Sequence, residues 1–151
     1  MTTQDKFLEA MLELKTKMGK VGEKLTIPPP SMLTLKHNYT HFDAGKSLVA
    51  EVPFNKEFVN PVGYFQGGFL AAAIDDVFGP LSYLSAEAPC VSLDFNVKFI
   101  RPFVSEHQKI EIEATVIAKT KSLITMEAKI KTMERKILAI ANMNSMILPL
   151  T

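Results

Sequence analysis

This chain of 151 residues has one cysteine, no tryptophan and almost no net charge. Each scarcity closes off a class of protein. The lone Cys90 excludes an intrachain disulfide and any multi-cysteine metal site. A net charge of +1 gives no electrostatic basis for binding nucleic acid. No apolar run approaches the ~20 residues of a membrane span. His37, His41 and His107 lack metal-ligand spacing, and no metal or other cofactor is expected. The opening Met1-Thr2-Thr3-Gln4-Asp5 has no basic stretch followed by an apolar one, so no signal peptide is read there. The expectation is a cytoplasmic globular protein with neither membrane nor nucleic acid as partner.

What remains is a chain that is 47% hydrophobic, enough for one domain with a real core. From Asp5 to about Val21, Phe7, Leu8, Met11, Leu12, Leu14 and Met18 recur near a helical period. Pro28-Pro29-Pro30 then predicts an extended connection. Residues 1–27 are therefore read as an amphipathic helix with linker, and residues 28–151 as the main domain. Within it, Met32–His41 and Ser47–Pro53 read as strands around a turn at Asp43-Ala44-Gly45-Lys46. After residue 90, apolar and polar residues alternate in four successive runs. One places Val91, Leu93, Phe95, Val97 and Phe99 opposite Ser92, Asp94, Asn96 and Lys98. Between these groups lies a helix beginning near Gly67, apolar nearly all round, which Pro80 should end or kink. One apolar helix enclosed by an antiparallel sheet is an α+β architecture.

The helix start carries the chemistry. Asn60-Pro61-Val62-Gly63-Tyr64-Phe65-Gln66-Gly67-Gly68 runs into Phe69-Leu70-Ala71-Ala72-Ala73-Ile74-Asp75-Asp76. Backbone N–H groups at a helix start can hold a developing negative charge. A carboxylate inside an apolar helix is costly unless it has a partner or a task. Hydrolytic acyl chemistry needs both parts: an oxyanion donor, and a nucleophile or general base. Asp75 lies eight residues past Gly67, ~12 Å along a helix axis, too far for both to reach one carbonyl. Such a site closes only if the helix of a second subunit lies antiparallel, which predicts a two-fold homodimer. Asp76 points ~100° away from Asp75 and reads as structural.

With the downstream Val91-Ser92-Leu93-Asp94-Phe95-Asn96-Val97-Lys98-Phe99-Ile100-Arg101-Pro102, this pattern resembles the hotdog-fold thioesterases. The nearest branch is the phenylacetate-pathway and acyl-CoA thioesterase type. The resemblance covers about Met32 to Leu148. It implies a hotdog fold, dimeric or tetrameric, acting on an acyl-CoA, with coenzyme A present only as part of the substrate. It also implies roles for four residues. Asn60 would bind the thioester carbonyl or water, and the Gly67 N–H would polarise the thioester oxygen. Asp75 would be the catalytic carboxylate, and Ser92 would position water or that carboxylate. Gln66 stands where the family usually has histidine, and it cannot change charge near neutral pH. Gln66, Gly68, Phe65 and Phe69 are candidate substrate contacts, with Phe78 and Tyr83 as further acyl-pocket candidates and Arg101 as a candidate for the CoA phosphates. Each has a plainer reading: Asn60 as a turn residue, Gly67 and Gly68 as sites of close packing, Ser92 as a solvated serine. Three other readings fit: a hotdog protein that binds acyl-CoA without hydrolysing it, an acyl-thioester hydratase or dehydratase, for which the motif lacks the usual histidine, or a purely structural dimer module.

Overall fold

The structure, a computed structural model, describes residues 1–150. Six strands form one antiparallel sheet: β1 (Asn38–Asp43), β2 (Ser47–Pro53), β3 (Cys90–Phe99), β4 (Lys109–Lys119), β5 (Leu123–Thr132) and β6 (Ile137–Ile147). Their spatial order is β1-β2-β4-β5-β6-β3, so β1 and β3 are the edges. The period-two pattern sets which face is covered. Ile110, Ile112 and Ala114 of β4 are buried, as are Ile124, Met126, Ala128 and Ile130 of β5, while charged residues between them face outward. Helix α3 (Gly67–Ala86) lies on the covered face and buries Leu70, Ala73, Ile74, Val77, Phe78 and Leu81. Each large side chain contributes up to ~3 kcal/mol of transfer free energy.

Helix α1 (Thr3–Lys17) starts at a capping box between Thr2 and Asp5, and Gly19, at φ +57°, follows its end. It stops short of Val21 for that reason. Its Phe7 stacks on Tyr39 at 4.0 Å between ring centres, so the N-terminal helix shares the core of the sheet.

Three expectations are corrected. Met32–His41 is not one strand: α2 (Pro30–Leu35) occupies its first part, and β1 begins only at Asn38. Pro30 opens α2, a position where proline's fixed φ suits a helix and its missing N–H costs nothing. The proline tract is correspondingly not extended throughout. Pro80 neither ends α3 nor leaves a carbonyl unpaired. The Asp76 carbonyl, which loses its N–H partner to Pro80, accepts a hydrogen bond from the Tyr39 hydroxyl at 2.6 Å. Finally, β3 does not alternate cleanly. Ser92 faces Ser145 and Asp94 faces Asn144 across β6, so Leu93 is a bulge.

Candidate active site

The first turn of α3 leaves its backbone donors uncapped. Gln66 is its N-cap, yet the side chain makes no capping bond, and the first turn contains no acidic residue. The first helical hydrogen bond runs from the Leu70 N–H to the Gln66 carbonyl at 3.0 Å. The N–H groups of Gly67, Gly68 and Phe69 consequently have no partner within the helix. Upstream, Asn60 Oδ1 accepts from the N–H groups of Val62 and Tyr64 at 3.1 and 3.0 Å. This Asx-type loop holds Asn60 beside the helix start and leaves its amide donors unused among the described residues. Asn60, Phe65, Gly67 and Arg101 line one open cleft of about 450 Å³. Arg101 Nη1 is already committed to the Ile137 carbonyl at 2.7 Å, which fixes the guanidinium at the cleft edge.

Phe99 also lines this cleft, and nothing in the sequence pointed to it. Its ring lies directly over Gly67: a Cβ there would sit 3.1 Å from Phe99 Cζ. The glycine is thus required for close packing as well as for an accessible N–H. Gly68 has open space where a Cβ would be.

The two acids of α3 have opposite surroundings. Asp76 is half-buried, accepts from Ser31 Oγ at 2.8 Å, and keeps Oδ2 buried without a partner. Burial raises its carboxyl above the ordinary range, and Ser31 and His37 oppose that shift. His37 itself is buried and bonded through Nε2 to the Ala73 carbonyl at 2.8 Å. Asp76, Tyr39, His37 and Ser31 therefore stitch β1 and α2 to the central helix. Asp75 lies on the open side of α3 and makes no hydrogen bond or ion pair among the described residues. Loss of solvation, and secondarily the charge of Asp76, raises its carboxyl. A raised, unpaired carboxylate at an open surface is the form a general base or nucleophile requires.

The bulge at Leu93 places Ser92 on the face of β3 shared with Phe95, Val97 and Phe99, the face turned toward α3. Without it, strict alternation would put Ser92 on the outer face. Its hydroxyl contacts Met143 Sδ at 3.4 Å. The proposed acyl-pocket aromatics do not assemble. Phe65 is buried among Phe54, Phe58 and Phe103, Phe69 stacks on Phe58, and Phe78 packs in the core against Phe95. Phe65 lines the cleft at Gly67, whereas Tyr83 borders a separate cavity together with Phe7 and Met11.

One chain thus carries two separated groups of candidate site residues, Asn60 with Gly67 at one end of α3 and Asp75 two turns along. The model of the family described as the thioesterase superfamily matches residues 63–139, which include the helix start, both acids and β3 through β5. The chain belongs to the thioesterase superfamily. No curated protein matches it. A phenylacetic acid degradation-related protein of Ralstonia eutropha is 26% identical, with 86% of this chain and 98% of that one covered, at a TM-score of 0.71. The E. coli PaaI protein from the phenylacetic acid degradation operon is 15% identical, with 95% and 96% covered, at 0.77. A Haemophilus influenzae thioesterase is 22% identical, with 82% and 85% covered, at 0.74. The last two establish likeness of fold. This superfamily member is accordingly a hotdog protein assigned to thioester hydrolysis. None of its helices is long and apolar enough to cross a membrane, and no cluster of potential metal ligands occurs among the described residues.

Proposed function

We propose that this protein hydrolyses an acyl-CoA thioester to free acid and CoA, at two sites shared across a homodimer. The observation that carries the reading is the separation of two unsatisfied halves on one helix. Free N–H groups lie at Gly67, and an unpaired, raised carboxyl lies at Asp75. An antiparallel partner helix brings Gly67 of one subunit to Asp75 of the other. The Gly67 N–H, with the free amide of Asn60, then holds the oxyanion as the thioester carbonyl becomes tetrahedral. Asp75 takes a proton from attacking water, or attacks the carbonyl itself to form an anhydride that water then hydrolyses; in either route the C–S bond breaks and CoA departs as the thiolate. Ser92 orients the water or the carboxylate, and Arg101 lies at the cleft edge for a phosphate of CoA.

The experiment is subunit complementation. Asp75→Asn and Asn60→Ala are each expected to lose most thiol release from acyl-CoA. Mixed one to one with subunit exchange, they regain about a quarter of wild-type activity, because each heterodimer holds one intact site. Recovery absent in proven heterodimers would refute the shared site. Full activity of Asp75→Asn would refute the role of Asp75. A second reading, acyl-CoA binding without hydrolysis, is favoured by Gln66, whose side chain makes no capping bond and cannot move a proton near neutral pH. Tight binding without thiol release from any acyl-CoA decides for it.

A further inference from the structure

A half-open, largely apolar cavity of about 260 Å³ lies between α1 and α3, apart from the cleft at Gly67. Phe7 and Met11 of α1 form one wall, and Gly79 and Tyr83 of α3 form the other. Cys90 closes it at the start of β3, and the segment from Leu25 to Pro29 covers it. Most of this lining precedes residue 63, where the family match begins. No charged side chain lines it, and its Tyr39 hydroxyl is already committed to the Asp76 carbonyl.

Both elements that carry the Asp75 half-site also contribute lining to this cavity. On α3, Gly79 is one turn beyond Asp75, ~6 Å along the axis and ~40° round it. On β3, Cys90 is two residues before Ser92 and on the same face, ~7 Å away. A thioester carbonyl held between Asp75 and Ser92 therefore has an apolar cavity one step further on. An apolar cavity of ~150 Å³ holds a six-carbon ring, so by proportion this one holds about ten carbons. Met11 is flexible, and such side chains adapt to a chain of variable shape.

We propose that this cavity is the acyl site, and that it selects a straight aliphatic chain of about eight to ten carbons. The proposal rests on the thioesterase reading. It commits the substrate to fatty acyl rather than short or aromatic acyl groups. A phenylacetyl group would leave part of the cavity without contacts. Gly79 supplies the test, because a Cβ there meets nothing within 4 Å and a larger side chain grows into the cavity. Replacing a helical glycine also favours the helix itself.

Thiol release is measured on straight acyl-CoAs from two to sixteen carbons and on phenylacetyl-CoA. In the wild type, kcat/KM should rise by up to about fourfold per methylene to an optimum near eight to ten carbons. Gly79→Leu should shorten that optimum by about four carbons, the size of the group added. Met11→Phe, filling from the opposite wall, should shift it in the same direction. Calorimetric titration with decanoate gives a readout independent of turnover: binding to wild type, lost in Gly79→Leu. A flat chain-length profile, or one that neither variant shifts in folded protein, overturns the acyl site while leaving hydrolysis intact. Absence of any hydrolysis, with decanoate binding still abolished by Gly79→Leu, keeps the acyl site and overturns the thioesterase reading instead. Failure of decanoate to bind the wild type overturns the acyl site.

Discussion

Pro80 provides the sharpest test of how this fold is held. A proline inside a helix removes one backbone donor and leaves the carbonyl four residues earlier unpaired. Here that carbonyl belongs to Asp76, and the Tyr39 hydroxyl donates to it at 2.6 Å. Tyr39 is buried, and burial with the nearby Asp76 raises its hydroxyl pKa, so it remains a donor at any working pH. Tyr39→Phe keeps the ring and its stacking on Phe7 but deletes the donor. A buried carbonyl without a partner costs about 1–3 kcal/mol. For a domain of this size that lowers Tm by roughly 3–10 °C. In a Pro80→Ala background, the new N–H at position 80 can satisfy the Asp76 carbonyl. There, Tyr39→Phe should cost only a few tenths of a kcal/mol, giving a coupling of about 1–2 kcal/mol in a double-mutant cycle. Urea and thermal unfolding at fixed protein concentration measure all four proteins, since the proposed dimerisation would make Tm concentration-dependent. If Tyr39→Phe costs the same in both backgrounds, the hydroxyl does not substitute for the proline's missing donor.

Two further expectations concern the site. The Asp75 carboxyl sits above its ordinary value near 3.8, and the proposed mechanism needs it ionised, so hydrolysis should fall with acidification at a pH above that value. The same shift has a sign for stability. Between 3.8 and the raised value the folded state binds more protons than the unfolded one, so stability falls as pH rises through that window. Asp75→Asn should therefore melt higher than wild type at pH 7, with the advantage vanishing below about pH 4; equal melting at pH 7 would contradict the raised carboxyl. Gly67→Ala forces the Phe99 ring to shift, since the new Cβ approaches it at 3.1 Å. It should cut kcat/KM about tenfold or more while changing stability by less than about 1 kcal/mol, and adding Phe99→Ala should recover part of the lost rate; no loss at all would mean the helix start is not part of the site.

Local patterns carried much of this protein. The alternation of Ile110, Ile112 and Ala114 with Glu111 and Glu113 follows directly from the two-residue period of a half-covered strand. The helix start at Gly67 and the two acids within it were equally legible. Other features were not, because each depends on a residue distant in sequence. Leu93 reads as one more inward residue until the pairing with β6 shows it to be a bulge, which moves Ser92 to the helix side. Pro80 reads as a helix stop until Tyr39 arrives from another element to satisfy the carbonyl. The need for such a donor could have been inferred; its identity could not. Phe65, Phe69 and Phe78 look alike in the sequence, yet Phe65, ahead of α3, and Phe69, in its first turn, both pack on Phe58, while Phe78, more than two turns further along α3, packs against Phe95.

The sequence alone determined the α+β class, the apolar central helix, and the impossibility of closing Gly67 and Asp75 into one site within a chain. Those follow from periodicity and rise per residue, which are properties of the backbone. Only the tertiary structure decided which acid stays free. Asp76 is drawn into contact with Ser31 and the neighbourhood of His37, while Asp75 faces open space without a partner. Only the packing of α1 against α3 created a cavity one turn beyond Asp75, since a cavity is the space that side chains from distant segments fail to fill.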